Sequence, residues 1–222
     1  DEPAQVWRLF RKGGEAVRLT DTAQAVDTFA WSPDSTRLLL VLQDASAAER
    51  AAHEQGDDYE EQTPPPWVID RQQFKTDYVG YLDRRRSHLY VLDVASGTLT
   101  QLTFGDYDHA EPAWSPDGRS IAFTSNRTEE PDDNYNTDIW VVSADPSQAP
   151  SEPQRITRGQ GPDESPSWSP DGRSIAFVMP VAEEAKPLAQ PLQKPEGAEW
   201  AVPPKVIEKL IYRADGEGYL AD

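Results

Sequence analysis

The stretch WSPDGRSIAF, residues 114–123, recurs unchanged at residues 168–177 and in a diverged form, WSPDSTRLLL, at residues 31–40. Eleven residues upstream of each tryptophan stands a threonine that follows an aliphatic residue. Further upstream each copy has an aromatic segment that reads WRLF, WVVS or YVLD. A unit of about 40 residues made of short strands is typical of the blades of an all-β propeller. The predicted blade repeats lie around residues 1–43, 87–126 and 138–178.

Each copy predicts a tight turn between two strands. A proline presets the backbone, Asp117 can accept hydrogen bonds from nearby amides, and Gly118 accepts a positive φ. The last copy repeats this pair as Asp171 and Gly172. The first copy has Ser35 at the glycine position, so we expect that turn either to relax or to carry strain of about 1 kcal/mol.

The strands next to these turns are predicted to be covered on both faces. In SIAF and LYVLDV the apolar residues run continuously or occupy both parities, as in sheets that stack on one another. Trp31, Trp114 and Trp168 hold the same place before each turn, which favours packing in the core over binding of carbohydrate or aromatic ligands.

Two insertions interrupt the repeats, around residues 44–86 and 179–222. Ser46 and Glu49 have capping-box spacing ahead of strong helix formers, which predicts a short helix in the first insertion. The two insertions share a sequence: PPWVIDRQQFKTDYVGYL, from residue 65, matches PPKVIEKLIYRADGEGYL, from residue 203, at a constant offset of 138.

The same offset suggests how the chain continues. In the first copy the shared element leads into the strand HLYVLDV at residue 88, and 88 + 138 places its equivalent at about residue 226, past Asp222. Three repeats with partial flanks form an arc, whereas blades bury their faces only against neighbours in a closed ring. We therefore expect this sequence to be an incomplete part of a larger propeller.

Composition excludes several classes of function. The chain has 21 Lys and Arg against 39 Asp and Glu, a formal charge of −18, which argues against a nucleic-acid or anionic-membrane partner. It has no Cys, so disulfides, thiolate metal sites and cysteine nucleophiles are excluded. The longest uncharged apolar run, residues 175–182, is far below the ~18 residues needed to span a bilayer. With no visible export signal, cytoplasmic residence is expected.

Residues 84–144, which include RRRSHLYVLD and SNRTEEPDDNYNTDIW, resemble the N-terminal propeller of prolyl oligopeptidase family serine peptidases, in the acylaminoacyl-peptidase and dipeptidyl-peptidase branch. PPWVIDRQQFKTDYVGYLDRRR resembles the insertion of that branch, while the WSPDG repeat is shared with TolB-like propellers. The resemblance implies a seven-bladed propeller followed by a C-terminal α/β-hydrolase domain with a Ser, Asp, His triad. The implied activity is hydrolysis of peptides near chain ends, with the propeller providing substrate gating, size exclusion and subunit contacts.

The chain itself lacks the catalytic part of that pattern. No Gly-x-Ser-x-Gly nucleophile elbow occurs in it, so no catalytic residue is carried over. The implied partners are peptide substrates of the full-length enzyme, the hydrolase domain and further copies of the same chain, and no cofactor is implied.

Four arginines are the candidates for substrate binding: Arg84, Arg85, Arg86 and Arg127. A guanidinium pairs well with a carboxylate, so one of them could meet the C-terminus or an acidic residue of a substrate. The alternative, pairing with the many acids of this protein, is favoured by their number.

No metal site or histidine site is predicted. The acidic loop at residues 132–138 begins like a calcium loop, but Thr137 and Ser143 stand where that loop needs Gly and Glu. The three histidines, His53, His88 and His109, are far apart in the sequence and are assigned no catalytic or metal role.

Two other functions remain open at this point. A non-enzymatic TolB-like propeller that serves as a scaffold for protein interaction would show an export signal and ring closure without a hydrolase domain. A propeller lyase, such as an oligogalacturonate lyase, would need clustered histidine and acidic metal ligands, against which the scattered histidines argue.

Overall fold

The computed structural model describes residues 2–60, 63, 66, 68–77, 79–147, 151–159, 161–180, 213–214 and 218–219. The strands are β1 Trp7–Arg8, β2 Val17–Arg18, β3 Thr28–Trp31, β4 Arg37–Gln43, β5 Lys75–Thr76, β6 Gly80–Tyr81, β7 Ser87–Asp93, β8 Leu99–Gln101, β9 Ala110–Trp114, β10 Ser120–Ser125, β11 Asp138–Ser143, β12 Gln154–Arg155, β13 Glu164–Trp168, β14 Ile175–Val178, β15 Arg213–Ala214 and β16 Gly218–Tyr219. One α-helix, α1 Ala47–Gln55, and two 3-10 turns, Gly56–Asp58 and Pro131–Asp133, complete the described elements.

The strands form antiparallel sheets whose strands follow one another in chain order, except that the β5-β6 hairpin is inserted between β4 and β7. The first four-stranded sheet has the order β3-β4-β7-β8, and the second has the order β9-β10-β11-β12. The pairs β1-β2 and β13-β14 precede and follow them as two-stranded sheets. These are blades of a β-propeller, as the repeats predict.

The sequence repeats are out of phase with these sheets. Each predicted repeat supplies the last two strands of one sheet and the first two strands of the next; residues 1–43, for example, contain β1 to β4. The difference arises because the sequence similarity begins at an aromatic third strand, whereas the hydrogen-bonded sheet begins at the strand before the WSPD turn. The first insertion, residues 44–86, therefore lies between the second and third strands of the first sheet.

Strand β4 shows why the apolar run LLLVL is continuous. Its even-numbered leucines pack with Val6 on the side of the β1-β2 sheet. Its odd-numbered residues, Leu39 and Val41, pack with Ile121 and Phe123 of the second sheet. Both faces of the strand are thus covered, and residues 38–42 are all buried.

The helix in the insertion begins as predicted. Ser46 is the N-cap: the Glu49 N–H donates to Ser46 Oγ at 3.1 Å, and the Ser46 N–H donates to the Glu49 carboxylate at 2.6 Å. This reciprocal pair confirms the capping box. Within the described ranges, no helix combines the length and the apolar character required to cross a bilayer.

The shared sequence of the two insertions forms the same element twice. Lys75 pairs with Tyr81 in the β5-β6 hairpin, and Arg213 pairs with Tyr219 in the β15-β16 hairpin, which reproduces the offset of 138 in the strand register. Most of the second insertion, residues 179–222, lies outside the described residues.

The WSPD turns share one hydrogen-bond pattern. Ser115 Oγ donates to Asp117 Oδ1 at 2.6 Å, the Arg119 N–H donates to the same oxygen at 3.0 Å, and the Ser120 N–H donates to Ser115 Oγ at 2.9 Å. Equivalent bonds occur in the other two copies. The hydroxyl bond, followed by the backbone bond, holds the pKa of Asp117 below its usual value.

The position of Ser35 resolves the expectation for the first turn. Its φ is 60°, close to the 68° and 70° of Gly118 and Gly172, so the serine keeps the left-handed conformation instead of relaxing. Such a backbone is unfavourable for a residue with a Cβ.

Replacing Ser35 by glycine should therefore raise the free energy of unfolding by about 0.5–1 kcal/mol. The mirror change, Gly172→Ser, should lower it by a similar amount, because a Cβ there meets only ordinary contacts and the penalty is that of the backbone. Urea unfolding of both variants gives the measurement. Equal or reduced stability of Ser35→Gly would contradict the strain assigned to this turn.

The WSPD tryptophans also tie each sheet to the one before it. Trp114 Nε1 donates to the Ala30 carbonyl at 3.3 Å, and Trp168 Nε1 donates to the Ala113 carbonyl at 3.1 Å. Each acceptor directly precedes the tryptophan of the preceding sheet. Trp31 departs from the predicted core position: it is 43% exposed, because the contact needs a preceding first strand and the β1-β2 sheet supplies none.

Arg37 makes a second tie between the first and second sheets. Its Nη1 donates to the Ala144 carbonyl at 2.8 Å and its Nη2 to the Gly118 carbonyl at 2.7 Å. Its guanidinium carbon lies 5.0 Å from the centre of the Trp114 ring. One side chain therefore joins a turn, a strand end and a tryptophan of the neighbouring sheet.

Removal of this side chain in Arg37→Ala should lower the free energy of unfolding by about 2 kcal/mol, since two charge-assisted hydrogen bonds and a cation–π contact are lost. Arg119→Ala, which removes an exposed arginine of the same turn region, serves as the control and should change stability by less than about 0.5 kcal/mol. Denaturant unfolding monitored by tryptophan fluorescence measures both. Similar effects of the two substitutions would show that the tie contributes nothing specific.

Candidate functional site

The long connections between strands lie at one end of the sheets. Neighbouring strands are antiparallel, so successive connections alternate between the two ends of a sheet. The connection between the first and second strands and that between the third and fourth strands lie at the end that carries the WSPD turns. The remaining connections lie at the opposite end, which we call the loop face. Its segments are residues 44–86, 102–109, 126–137 and 156–163.

Three of the four candidate arginines are paired with acids of this chain. Arg84 pairs with Asp70 at 2.9 Å, Arg85 with Asp83 at 2.6 Å and Glu49 at 2.8 Å, and Arg86 with Asp106 at 2.7 Å and Asp108 at 3.0 Å. The Arg86 side chain is only 9% exposed and joins the end of the insertion to the 102–109 segment. Their guanidinium groups are thus engaged in holding the loop face together.

Arg127 has a different setting. Its guanidinium carbon lies 4.4 Å from the centre of the Trp140 ring and 5.1 Å from that of Tyr107, and its Nη2 donates to His109 Nε2 at 3.0 Å. Its Nε is buried and has no hydrogen-bond partner among the described residues. Burial lowers the pKa of Arg127, opposed by the charges of Tyr107 and Glu152.

The strands beside Arg127 explain this placement. Arg127 follows β10 by two residues, Trp140 lies on the adjacent strand β11, and Tyr107 and His109 belong to the segment that leads into β9. The three elements meet at the loop-face end of the second sheet. No carboxylate of the described ranges forms an ion pair with Arg127 there.

His109 and His88 form a buried pair beneath this arginine. Their ring centres are 5.1 Å apart. Since Arg127 can only donate, His109 Nε2 is the acceptor, and the ring proton lies on Nδ1, which donates to the Ser87 carbonyl at 2.9 Å. Burial lowers the pKa of His109 to about 4 and also lowers the pKa of His88, whose Nε2 is 3.7 Å from Asp44 Oδ1.

The sequence offered little sign of this pair. His88 and His109 are separated by 21 positions, and His88 lies in β7 whereas His109 lies in the connection before β9. A usable signal exists once the topology is known: His88 lies near the start of β7, which follows one loop-face connection, and His109 closes another just before β9. His53, by contrast, lies on α1, with its Nε2 3.3 Å from Asp21 Oδ1.

A polar cavity of about 180 Å³ lies beside Arg127 on the loop face. Tyr107 and Asn126 form part of its wall, and the Tyr107 ring centre is 5.1 Å from the Arg127 guanidinium carbon. Ion pairs between Arg71 and Asp132 and between Arg86 and the 102–109 segment close its other sides.

Two of the three carboxylates in the acidic loop that resembles the start of a calcium site are paired with arginines, and Asp138 Oδ1 is buried without a hydrogen-bond partner among the described residues. Asp132 accepts hydrogen bonds from both Nε and Nη2 of Arg71. Asp138 pairs with Arg155 at 2.6 Å. In the part of the chain that the structure describes, no group of three His, Cys, Asp or Glu side chains is arranged to hold a metal ion.

The stacked four-stranded sheets and the WSPD turns together define a segment of a β-propeller. No protein-family model matches the chain. Its sequence is similar to that of an uncharacterised peptidase of Bacillus subtilis, YuxL, with 30% identity over 141 residues, which are 64% of this chain and 21% of that protein. The chain thus spans about a fifth of the length of this relative.

Two solved structures are similar in fold. A putative TolB from Agrobacterium tumefaciens aligns with a TM-score of 0.48 and 24% identity over 83% of this chain and 48% of its own. An acylaminoacyl peptidase from Pyrococcus horikoshii aligns with a TM-score of 0.49 and 17% identity over 74% of this chain and 22% of its own. The expected resemblance to peptidase and TolB-like propellers is confirmed.

The buried histidine gives a pH dependence that can be measured. The unfolded chain binds a proton at His109 with an ordinary pKa near 6.5, whereas the folded chain does so only near 4. Between these values unfolding takes up a proton, so this contribution to stability is complete above pH 6.5 and is lost as the pH falls toward 4. The expected loss is about 2–3 kcal/mol.

Comparison of His109→Gln with the wild-type chain at pH 7 and pH 4.5 tests this assignment. The glutamine carbonyl can still accept from Arg127, so the variant should fold and should lose less stability between the two pH values. His53→Gln, at an exposed helix position, is the control and should behave like the wild type. If the stability of His109→Gln depended on pH as the wild type does, His109 would not be the source of the pH dependence.

Proposed function

We propose that this chain is the substrate-gating and assembly propeller of a serine exopeptidase of the prolyl oligopeptidase type, which hydrolyses peptides near their ends. Bond cleavage belongs in this proposal to an α/β-hydrolase domain outside the 222 residues, which covers the loop face. The similarity to a peptidase supports it.

The observation that carries the proposal is the asymmetry of the two ends. One end of the sheets carries the short WSPD turns, whereas the other carries the 43-residue insertion at residues 44–86, the cavity and Arg127. A face of this kind suits contact with a second domain and with an extended substrate held between the two.

The chain's own residues fit a role without bond cleavage. Its sequence has no nucleophile elbow, and His109, which is completely buried, uses both ring nitrogens in hydrogen bonds to Ser87 and Arg127. Such a ring cannot serve as the general base for a serine. In the full enzyme a serine of the hydrolase domain would attack the scissile carbonyl with the help of its own histidine.

Gating follows from the rigidity of the stacked sheets. A peptide must reach the covered loop face in an extended form, because the sheets are packed on both faces and cannot part without exposing the core. Folded proteins and long chains are excluded in this proposal while short peptides enter. Further copies of the chain are proposed as partners in assembly.

The full-length protein is expected to hydrolyse chromogenic anilides of N-acyl-amino acids or dipeptides, and a serine-directed covalent inhibitor should abolish this turnover. The 222-residue chain alone should have no such activity. Short peptides should be cleaved at least tenfold faster than unfolded casein of equal mass concentration.

Two results would overturn the proposal. Absence of inhibitor-sensitive turnover in the full-length protein would favour the non-enzymatic TolB-like scaffold instead. Equal cleavage of casein and short peptides would leave the peptidase in place but exclude gating by the propeller.

A further inference from the structure

We propose that Arg127 binds a carboxylate of the peptide substrate, so that the propeller selects peptides carrying a free C-terminal or acidic side-chain carboxylate. This inference rests on the proposed function and names the substrate class of the same loop face.

Most N–H donors of the Arg127 guanidinium have no acceptor among the described residues. A guanidinium has five N–H groups, and the described residues engage one of them, through the bond from Nη2 to His109 Nε2. Nε is buried without a partner. The described residues supply no acceptor for Nη1 either, so a ligand carboxylate can accept from donors that the protein leaves unpaired.

The neighbouring arginines have ion pairs that Arg127 lacks. Arg71, Arg84, Arg85 and Arg86, all on the loop face, each pair with a carboxylate. The chain carries 39 acidic residues against 21 basic ones, so acids to pair with are abundant. Arg127 is nevertheless held by aromatic rings and a neutral histidine, and it forms no ion pair with a carboxylate of the described residues.

Neighbouring side chains hold the Arg127 guanidinium in one position before any ligand binds. The rings of Trp140 and Tyr107 lie within 4.4 Å and 5.1 Å of its central carbon, and His109 fixes Nη2 from a buried ring that is itself anchored to the Ser87 carbonyl. A fixed guanidinium loses little entropy on binding and presents its remaining donors in a plane that matches a carboxylate.

The net charge of the chain limits the classes of ligand that Arg127 can bind. A net charge of −18 disfavours polyanions, and a single guanidinium is fewer than the cluster of arginines that usually binds a phosphate group. A single carboxylate on a peptide has the charge and shape that one guanidinium can satisfy. The charge of Glu152 raises the pKa of Arg127, but Glu152 is exposed and forms no ion pair with it.

The test uses the full-length enzyme and three peptides with the same cleavable N-terminal unit. One has a free C-terminus and neutral side chains, one is amidated and neutral, and one is amidated with a glutamate near its C-terminus. In Arg127→Gln we expect KM to rise about tenfold for the peptides whose carboxylate is recognised, with kcat changed less than twofold, and both constants to stay unchanged for the neutral amidated peptide. The free-acid and glutamate peptides distinguish the two sources of the carboxylate.

Arg158→Gln is the matched control, because it removes an exposed arginine from the same face, and it should change none of the three KM values. Arg127→Lys, which keeps the charge but loses the planar fork, should recover part of the affinity. Circular dichroism melting of each variant separates loss of binding from loss of folding.

A second measurement keeps the inference independent of turnover. Titration of the full-length protein with each peptide, followed by tryptophan fluorescence because Trp140 contacts Arg127, should show weaker binding of carboxylate peptides in Arg127→Gln only. Equal binding of all three peptides by the wild type, or an equal loss for all three in the variant, would overturn the inference. Cleavage of the neutral amidated peptide that persists in such a case would leave the proposed function standing.

Discussion

Leu39 and Val41 of the first sheet pack against Ile121 and Phe123 of the second, while the leucines on the opposite parity of β4 pack toward Val6. A sheet buried on both faces cannot shift its register by one residue without moving polar groups into both interfaces. The tryptophan bonds to the preceding sheet and the Arg37 contacts follow this stacking, since they span a distance that the apolar packing fixes. The loop face is positioned by the same stacking, because its two longest segments, residues 44–86 and 126–137, follow the buried strands β4 and β10.

The polar groups gather where the stacking ends. At the loop face the backbone leaves the sheets, and the first residues beyond the strands, such as His109 and Arg127, are still largely desolvated. Their protonation states therefore depend more on neighbouring protein groups than on water. His109 remains neutral so that it can accept from Arg127, and Arg127 keeps its charge between two aromatic faces. Burial of these polar groups lowers the stability of the fold, and in the proposed function it holds the Arg127 guanidinium in position for a substrate carboxylate.

Local features of the fold were predictable from the residues, and tertiary ones were not. The WSPD turns, the doubly covered strands and the Ser46 cap each depend on a few consecutive residues whose propensities agree. The phase of the repeats was hidden, because sequence similarity does not show which strands share hydrogen bonds. The isolation of Arg127 was equally hidden: in the sequence it resembles Arg86, and only the distances show that one has two carboxylates and the other has none among the described residues.

The two hairpins that repeat at an offset of 138 leave from alternate sheets. The β5-β6 hairpin follows β4 of the first sheet, and the β15-β16 hairpin follows β14, the second strand of its own sheet, whereas the sheet between them has only the short connection at residues 126–137. Arg127 lies on that short connection. The first insertion reaches this connection through the ion pair between Arg71 and Asp132, so a molecule that rests against the arginine has the insertion along one side.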